Sequence, residues 1–159
     1  MHKNMDLHTT MLIYKTNDQV LLGFKNRGFG AGTYNGFGGK VQEGEDILSA
    51  LIRECQEEAN ITPINPRFVG VINYNEPMQG SRKNIQMHIF TCTQISGNIA
   101  PSPEMIPEFF DINALPLDKM LPDTAIWLPL ILDGYNITAD FILNDDLSIK
   151  SYTLHKNLL

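Results

Sequence analysis

The run Arg53-Glu54-Cys55-Gln56-Glu57-Glu58 places three carboxylates and a guanidinium within six residues. On a helix, residues three and four apart share a face. Glu54, Glu57 and Glu58 are therefore expected to point the same way, beside an apolar face rather than opposite it. Carboxylates crowded together repel one another until cations neutralise them. Hard cations such as Mg²⁺ want oxygen ligands in octahedral geometry and often share them with substrate phosphates. The chemistry implied is metal-assisted work on a phosphorylated molecule. The plain alternative is a solvated acidic helix face, and three glutamates alone would favour it. The wider spacing reverses that preference. It runs Gly39, five residues, Glu45, seven residues, Arg53-Glu54, an apolar residue, one more residue, then Glu57-Glu58.

The 159-residue length suits a single domain over 1–159 with one sizeable core. An apolar share of 43% and a charged share of 19% are ordinary for a globular chain. The formal net charge of −6 argues against a duplex nucleic-acid partner, which calls for a basic face. It leaves room for a polyanionic substrate, because a bound metal can supply the missing positive charge. Cys55 and Cys92 are too few for a disulfide framework and read as reduced core residues of a cytoplasmic protein. Met1 to Leu7 is polar and carries no apolar h-region, so no signal peptide is expected there. No apolar run approaches the ~20 residues of a membrane span. A monomer without a membrane partner is expected.

The elements that must position these residues follow from patterning. Thr9–Tyr14 and Gln19–Phe24 read as strands of a hairpin around Thr16-Asn17-Asp18. Gly28 to Gly39 contains six glycines and reads as a loop. Asp46–Ala59 reads as a helix, with Leu48, Leu51, Ile52, Cys55 and Ala59 on one apolar face. Asn60 ends it, since asparagine tolerates the left-handed conformation next best after glycine. Arg67–Tyr74 and Ile85–Thr93 read as strands flanking a polar loop, and Glu108–Ile112 as a short strand. Asp123–Leu132 reads as a helix that Pro129 could kink. Phe141–Leu143 and Ser148–Leu154 close the chain as a hairpin. The order of elements implies an α+β class, with a mixed β-sheet and helices on its faces.

Gly39-Lys40-Val41-Gln42-Glu43-Gly44-Glu45 through Ile61 resembles the Nudix box at nearly every fixed position, with Asn60 where the family has glycine. The resemblance implies the Nudix fold, a mixed β-sheet sandwiched between helices. It also implies a magnesium-dependent pyrophosphohydrolase, with Mn²⁺ as a substitute ion. Glu54 and Glu58 would ligate Mg²⁺, and Glu57 would be a ligand or the base that activates water. The backbone carbonyl of Gly38 and, outside the box, Glu104 would add ligands. Arg53 would orient the carboxylates, and Glu45 would close that network.

The stretch Gly23 to Glu45, with Pro103-Glu104-Met105, Leu121-Pro122-Asp123, Trp127-Leu128-Pro129-Leu130 and Tyr152-Thr153-Leu154, resembles the MutT-homologue oxidised purine nucleoside triphosphatases of animals. That likeness implies a nucleoside triphosphate substrate such as 8-oxo-dGTP. Asn35 and Asp123 would meet the purine edge. Phe29, Tyr74, Met87 and Trp127 would wall the base pocket, with Thr10 and Lys25 near the nucleotide. Leu121 stands where the family has tryptophan, and Thr124 where it has a second aspartate. Gln79 to Asn84 carries a short insertion beside the pocket. Two other readings compete. One is a Nudix enzyme for canonical nucleotides or a nucleoside diphosphate sugar. The other is a non-catalytic Nudix module, which the intact Glu45, Glu54, Glu57 and Glu58 argue against.

Overall fold

The first strand alternates its apolar side chains between two cores. β1 (Leu7–Lys15) turns into β2 (Gln19–Lys25), and the two pair antiparallel. Ile13, Val20 and Leu22 fall in one core cluster, while Leu12 and Leu21 fall in the other. Successive strand residues point to opposite faces, so this sheet is buried on both sides. A computed structural model of the chain describes residues 5–158. The reading of Met1 to Leu7 therefore falls largely outside the described residues.

The remaining elements are β3 (Tyr34–Asn35), α1 (Ile47–Ala59), β4 (Thr62–Pro63), β5 (Arg67–Met78), β6 (Ser81–Cys92) and β7 (Ile95–Ser96). They are followed by β8 (Met105–Asp111), a 3₁₀ turn at Leu117–Lys119, α2 (Pro122–Leu132), β9 (Tyr135–Leu143) and β10 (Ile149–Leu158). The main sheet runs β10-β9-β5-β6-β1-β2-β3, with β8 also on β2; β4 and β7 form a separate pair. β1 with β6 and β5 with β9 are parallel, and the other pairs are antiparallel. Leu51, Cys55 and Ala59 of α1 pack on one face, and Trp127, Leu128, Ile131 and Leu132 of α2 on the other. This is the mixed sheet between helices that the Nudix resemblance implied. Among the described residues, no helix is long and apolar enough to cross a membrane.

Several boundaries differ from the sequence reading. The glycine-rich segment is not all loop, since Tyr34–Asn35 pairs with Gly23 and Phe24 and Phe37 bridges to Leu12. Its glycines serve two purposes. Gly28, Gly30 and Gly32 take positive φ in turns. Gly38 instead permits close approach, because a Cβ there would lie 1.8 Å from the Thr10 carbonyl oxygen. β5 and β6 run on through the expected polar loop to a tight turn at Gln79-Gly80, both with positive φ. β8 begins at Met105 rather than Glu108, and β9 begins at Tyr135 rather than Phe141. Pro122 opens α2, where its missing N–H costs nothing.

Helix α1 is set by its ends. Asp46 is the N-cap rather than a helical residue, and its carboxylate accepts from the Ser49 N–H at 2.7 Å. Asn60 sits at φ 58° and ψ 36°, the left-handed cap conformation. Its side-chain amide donates to the Asn98 carbonyl at 2.9 Å. Leu48, assigned to the apolar face, lies in the first turn and is 44% exposed instead. Asn60→Val is expected to destabilise the protein by about 1–2 kcal/mol, since a branched side chain resists that conformation. Asn60→Gly should stay within about 1 kcal/mol of the parent. Thermal melts of both variants check this, and equal melting temperatures would contradict it.

Candidate active site

Arg53 lies at the centre of an ion network that fixes the start of α1 to the glycine-rich segment. Its Nε and Nη2 donate to the two Glu45 carboxylate oxygens at 2.8 and 2.9 Å. Its Nη1 reaches Glu54 at 2.9 Å and Glu57 at 3.3 and 3.5 Å, and Nη2 also donates to the Lys40 carbonyl at 3.0 Å. The planar fork suits this paired geometry in a way that lysine would not. Arg53 holds the Glu45 carboxyl down at about 2, helped by a bond from the Gln42 N–H.

The three helix glutamates do not point the same way. At 100° per residue, Glu58 falls nearest the apolar face and Glu57 farthest from it. Glu58 is accordingly 3% exposed, while the Glu57 side chain is 59% exposed. The Glu54 carboxyl lies against Gly39, where an added Cβ would sit 2.6 Å from its Cδ. Glu58 accepts from the Gly38 N–H at 2.8 Å. Burial pushes the Glu58 carboxyl up to about 8, against the pull of that N–H, and Glu54 adds repulsion. Desolvation also raises Glu54, against the pull of Arg53.

Among the described residues, no three carboxylate, thiol or imidazole side chains converge into a ready metal cage. Arg53 draws Glu57 outward, and Arg27 meets Glu104 at 3.6 Å. Glu104 is nonetheless close enough to raise both Glu54 and Glu58. This donor set fits a hard dication. It is all oxygen, and it holds two desolvated carboxylates that lack sufficient counter-charge. It is incomplete as a cage, as expected where phosphate oxygens finish the coordination.

A cavity of about 280 Å³ runs from this corner along the α2 face of the sheet. Thr10, Lys25, Phe29, Asn35, Tyr74, Met87, Asp123 and Trp127 all line it, together with Gly38 and Glu58. The sheet forms its floor through the registers Thr9↔Met87 and Tyr74↔Ile85. At the far end Asp123 is 4% exposed, and desolvation raises its carboxyl above the usual range. Tyr74 donates its hydroxyl to Asp123 Oδ2, and Trp127 Nε1 donates to the same oxygen at 3.1 Å. The Asn35 amide is anchored by Thr33 Oγ1 at 3.0 Å. The Thr10 hydroxyl lies 3.5 Å from the Gly39 backbone, at the carboxylate end. Phe29 stands exposed at the mouth.

The family model described as the NUDIX domain matches residues 6–131, which span the acidic helix and most of the cavity. The chain belongs to the Nudix hydrolase family. It is 38% identical over 150 residues to the oxidized purine nucleoside triphosphate hydrolase of Mus musculus, covering 94% of each chain. It is 42% identical over 123 residues to the protein of that name from Danio rerio, covering 77% of this chain and 78% of the other. The crystal structure of a MutT protein from Bacillus halodurans superposes with a TM-score of 0.80 at 27% identity, covering 93% of this chain and 97% of that one. Nudix hydrolases generally work with a divalent cation, in keeping with the donor set around Glu54 and Glu58.

Within this Nudix cavity, Leu121 and the buried Thr124 stand beside Asp123 as pocket wall. Sequence reading missed Ile85, Glu76 and Lys83, which also line the cavity. The pattern that could have found Glu76 is strand alternation. It lies two residues beyond Tyr74 and so shares its face, once β5 is read through to Met78.

Proposed function

We propose that this chain hydrolyses purine nucleoside triphosphates, oxidised forms such as 8-oxo-dGTP foremost, to the monophosphate and pyrophosphate with Mg²⁺. Mn²⁺ is the expected substitute ion. One observation carries the reading: a single cavity joins the Glu58 end of the acidic helix to a buried carboxylate, Asp123, held by Tyr74 and Trp127. The names of the mouse and zebrafish relatives support the oxidised-purine substrate.

In this reading Glu54, Glu58 and the Gly38 carbonyl would hold the ion, and Glu104 of the neighbouring loop would add a ligand. When bound there, a divalent cation would offset phosphate charge and lower the pKa of a water. Glu57, exposed to solvent and steadied by Arg53, takes the proton from the attacking water. The water oxygen bonds to phosphorus, the phosphoanhydride P–O bond breaks, and pyrophosphate leaves. Glu45 acts through Arg53 as a positioning residue. Lys25 and Thr10 hold the phosphate end. Asn35 and Asp123 hydrogen-bond the purine edge, where an amide and a carboxylate complement ring N–H and exocyclic groups. Phe29, Met87 and Trp127 enclose the flat base. The expected working state is a cytoplasmic monomer with no duplex nucleic-acid or membrane partner, in keeping with two buried free cysteines and a formal net charge of −6.

The test is a ranking of kcat/KM over 8-oxo-dGTP, 2-oxo-dATP, dGTP, dATP and ADP-ribose with Mg²⁺, scoring pyrophosphate release. An 8-oxo-dGTP lead over dGTP of about tenfold or more is expected. ADP-ribose at the head of the ranking would overturn the assignment.

A further inference from the structure

Six charged residues line the cavity: Lys25, Lys40, Glu58, Glu76, Lys83 and Asp123. Lys25 lies toward Glu58, as its pull on that carboxyl shows, and the Lys40 backbone carbonyl accepts from Arg53 at the same end. Asp123 is engaged by Tyr74 and Trp127. Glu76 and Lys83 remain without a task. They face each other across the β5–β6 hairpin, Glu76 being 6% exposed and its Oε1 3.5 Å from Lys83 Nζ. They share the face of Tyr74, so the pair continues the cavity floor past the base-edge residues.

The contact is loose. A charge-assisted bond optimised for itself would close to about 2.7–2.9 Å. Burying the Glu76 carboxylate for so long a contact to a half-buried Lys83 is unfavourable unless further bonds satisfy it. A carboxylate offers several acceptor sites and an ammonium three donors, so both retain capacity toward a ligand. The pair also stands in a cavity whose wall includes Leu121 and the buried Thr124.

We propose that Glu76 and Lys83 together read the oxidised imidazole edge of the base, and so determine specificity for 8-oxopurines over unoxidised ones. The proposal rests on the purine triphosphatase reading above and specifies how that site chooses its substrate. Oxidation at C8 converts N7 from an acceptor into an N–H donor and places a carbonyl oxygen beside it. An adjacent carboxylate and ammonium match that order: Glu76 accepts from N7–H, and Lys83 donates to O8. An unoxidised purine sets the N7 lone pair against the Glu76 carboxylate and offers Lys83 only C8–H. The preference therefore comes from attraction to one base and repulsion of the other.

The experiment measures kcat/KM for 8-oxo-dGTP and dGTP on the parent, Glu76→Gln, Lys83→Met, the double variant and Lys83→Arg. The ratio of the two substrates is expected to fall by about tenfold or more in each single removal. The double variant should fall by less than the product of the singles, since the two act as a unit. Lys83→Arg should retain most of the ratio. The double variant also guards against misfolding, because it leaves no unpaired buried charge. A merely structural pair would lower the melting temperature and leave the ratio unchanged, and that result overturns the proposal. So does a pair that reads the lactam edge common to both bases. A parent that prefers 8-oxo-dGTP while every variant keeps its ratio defeats this inference alone. A parent inactive on all purine triphosphates defeats the functional reading and this inference together.

Discussion

Glu58→Gln is expected to raise the thermal stability of the metal-free protein near pH 8 while lowering turnover by roughly a hundredfold or more. Both effects have the same cause. Glu58 is 3% exposed, and burial pushes its carboxyl up to about 8 from an ordinary 4.5. The folded state therefore binds a proton there more tightly than the unfolded chain does. The stabilisation from that proton is fully present below pH 4.5 and is lost as pH rises through about 8. Glutamine resembles the protonated acid, being neutral and still able to accept from the Gly38 N–H. The variant should match the parent near pH 5 and melt several degrees higher near pH 8, at roughly 2–4 °C per kcal/mol for a chain of this size. Mg²⁺ should reverse the order. It stabilises the parent by binding only the folded state, and this gain should largely vanish in the variant. Melts at two pH values with and without Mg²⁺ check both halves. An Mg²⁺ increment as large in the variant as in the parent would remove Glu58 from the ion site.

This trade of stability for function is legible in the fold. A glutamate at position 58 falls beside Cys55 and Ala59, where packing alone would select an apolar residue. The Gly38 N–H donates to Glu58 at 2.8 Å, from a backbone that lies against the Thr10 carbonyl where no Cβ would fit.

Helix α1 could be read from the sequence because its information is local: apolar spacing and Asn60 after it. The fan of its carboxylates was less clear, since sharing a face says nothing of which side chain lies closest to the sheet. Helical phase places Glu58 nearest and Glu57 farthest, but burial depends on where α1 docks. The long strands were underestimated for a related reason. Asn75, Glu76, Pro77 and Lys83 read as a polar loop, yet the segment pairs throughout. Asn75 binds Asn84 across the strands at 2.9 Å, and Arg82 binds Asn75 and the Leu143 carbonyl. Tertiary pairing overrides weak strand preference here. The early start of β9 has the same origin, in parallel pairing with β5. The cavity is non-local altogether. Asn35, Tyr74 and Asp123 meet only because β5 lies centrally in the sheet, with β6 on one side and β9 on the other. Resemblance could supply that meeting of residues, but periodicity could not.

Glu57→Gln provides the complementary test, and its profile should differ from that of Glu58→Gln in stability and in the response to Mg²⁺. Glu57 is the most exposed of the three helix glutamates, and its hydrogen bonds run to Arg53 at 3.3 and 3.5 Å. Replacement should therefore leave the melting temperature within about a degree or two, as for ordinary surface substitutions. A group that takes a proton from water contributes about 10²–10⁴ in rate, so kcat should fall within that range while KM changes little. The Mg²⁺-induced rise in melting temperature should persist, because Glu54 and Glu58 remain. The neutral amide can still meet Arg53, so the Arg53–Glu45 fork stays in place and a collapsed network cannot account for the loss. Loss of kcat together with loss of the Mg²⁺ increment would make Glu57 a ligand rather than the base. Turnover near that of the parent would remove it from the chemistry and leave Glu54 as the remaining candidate to accept the proton, since Glu58 is buried and bonded to the backbone.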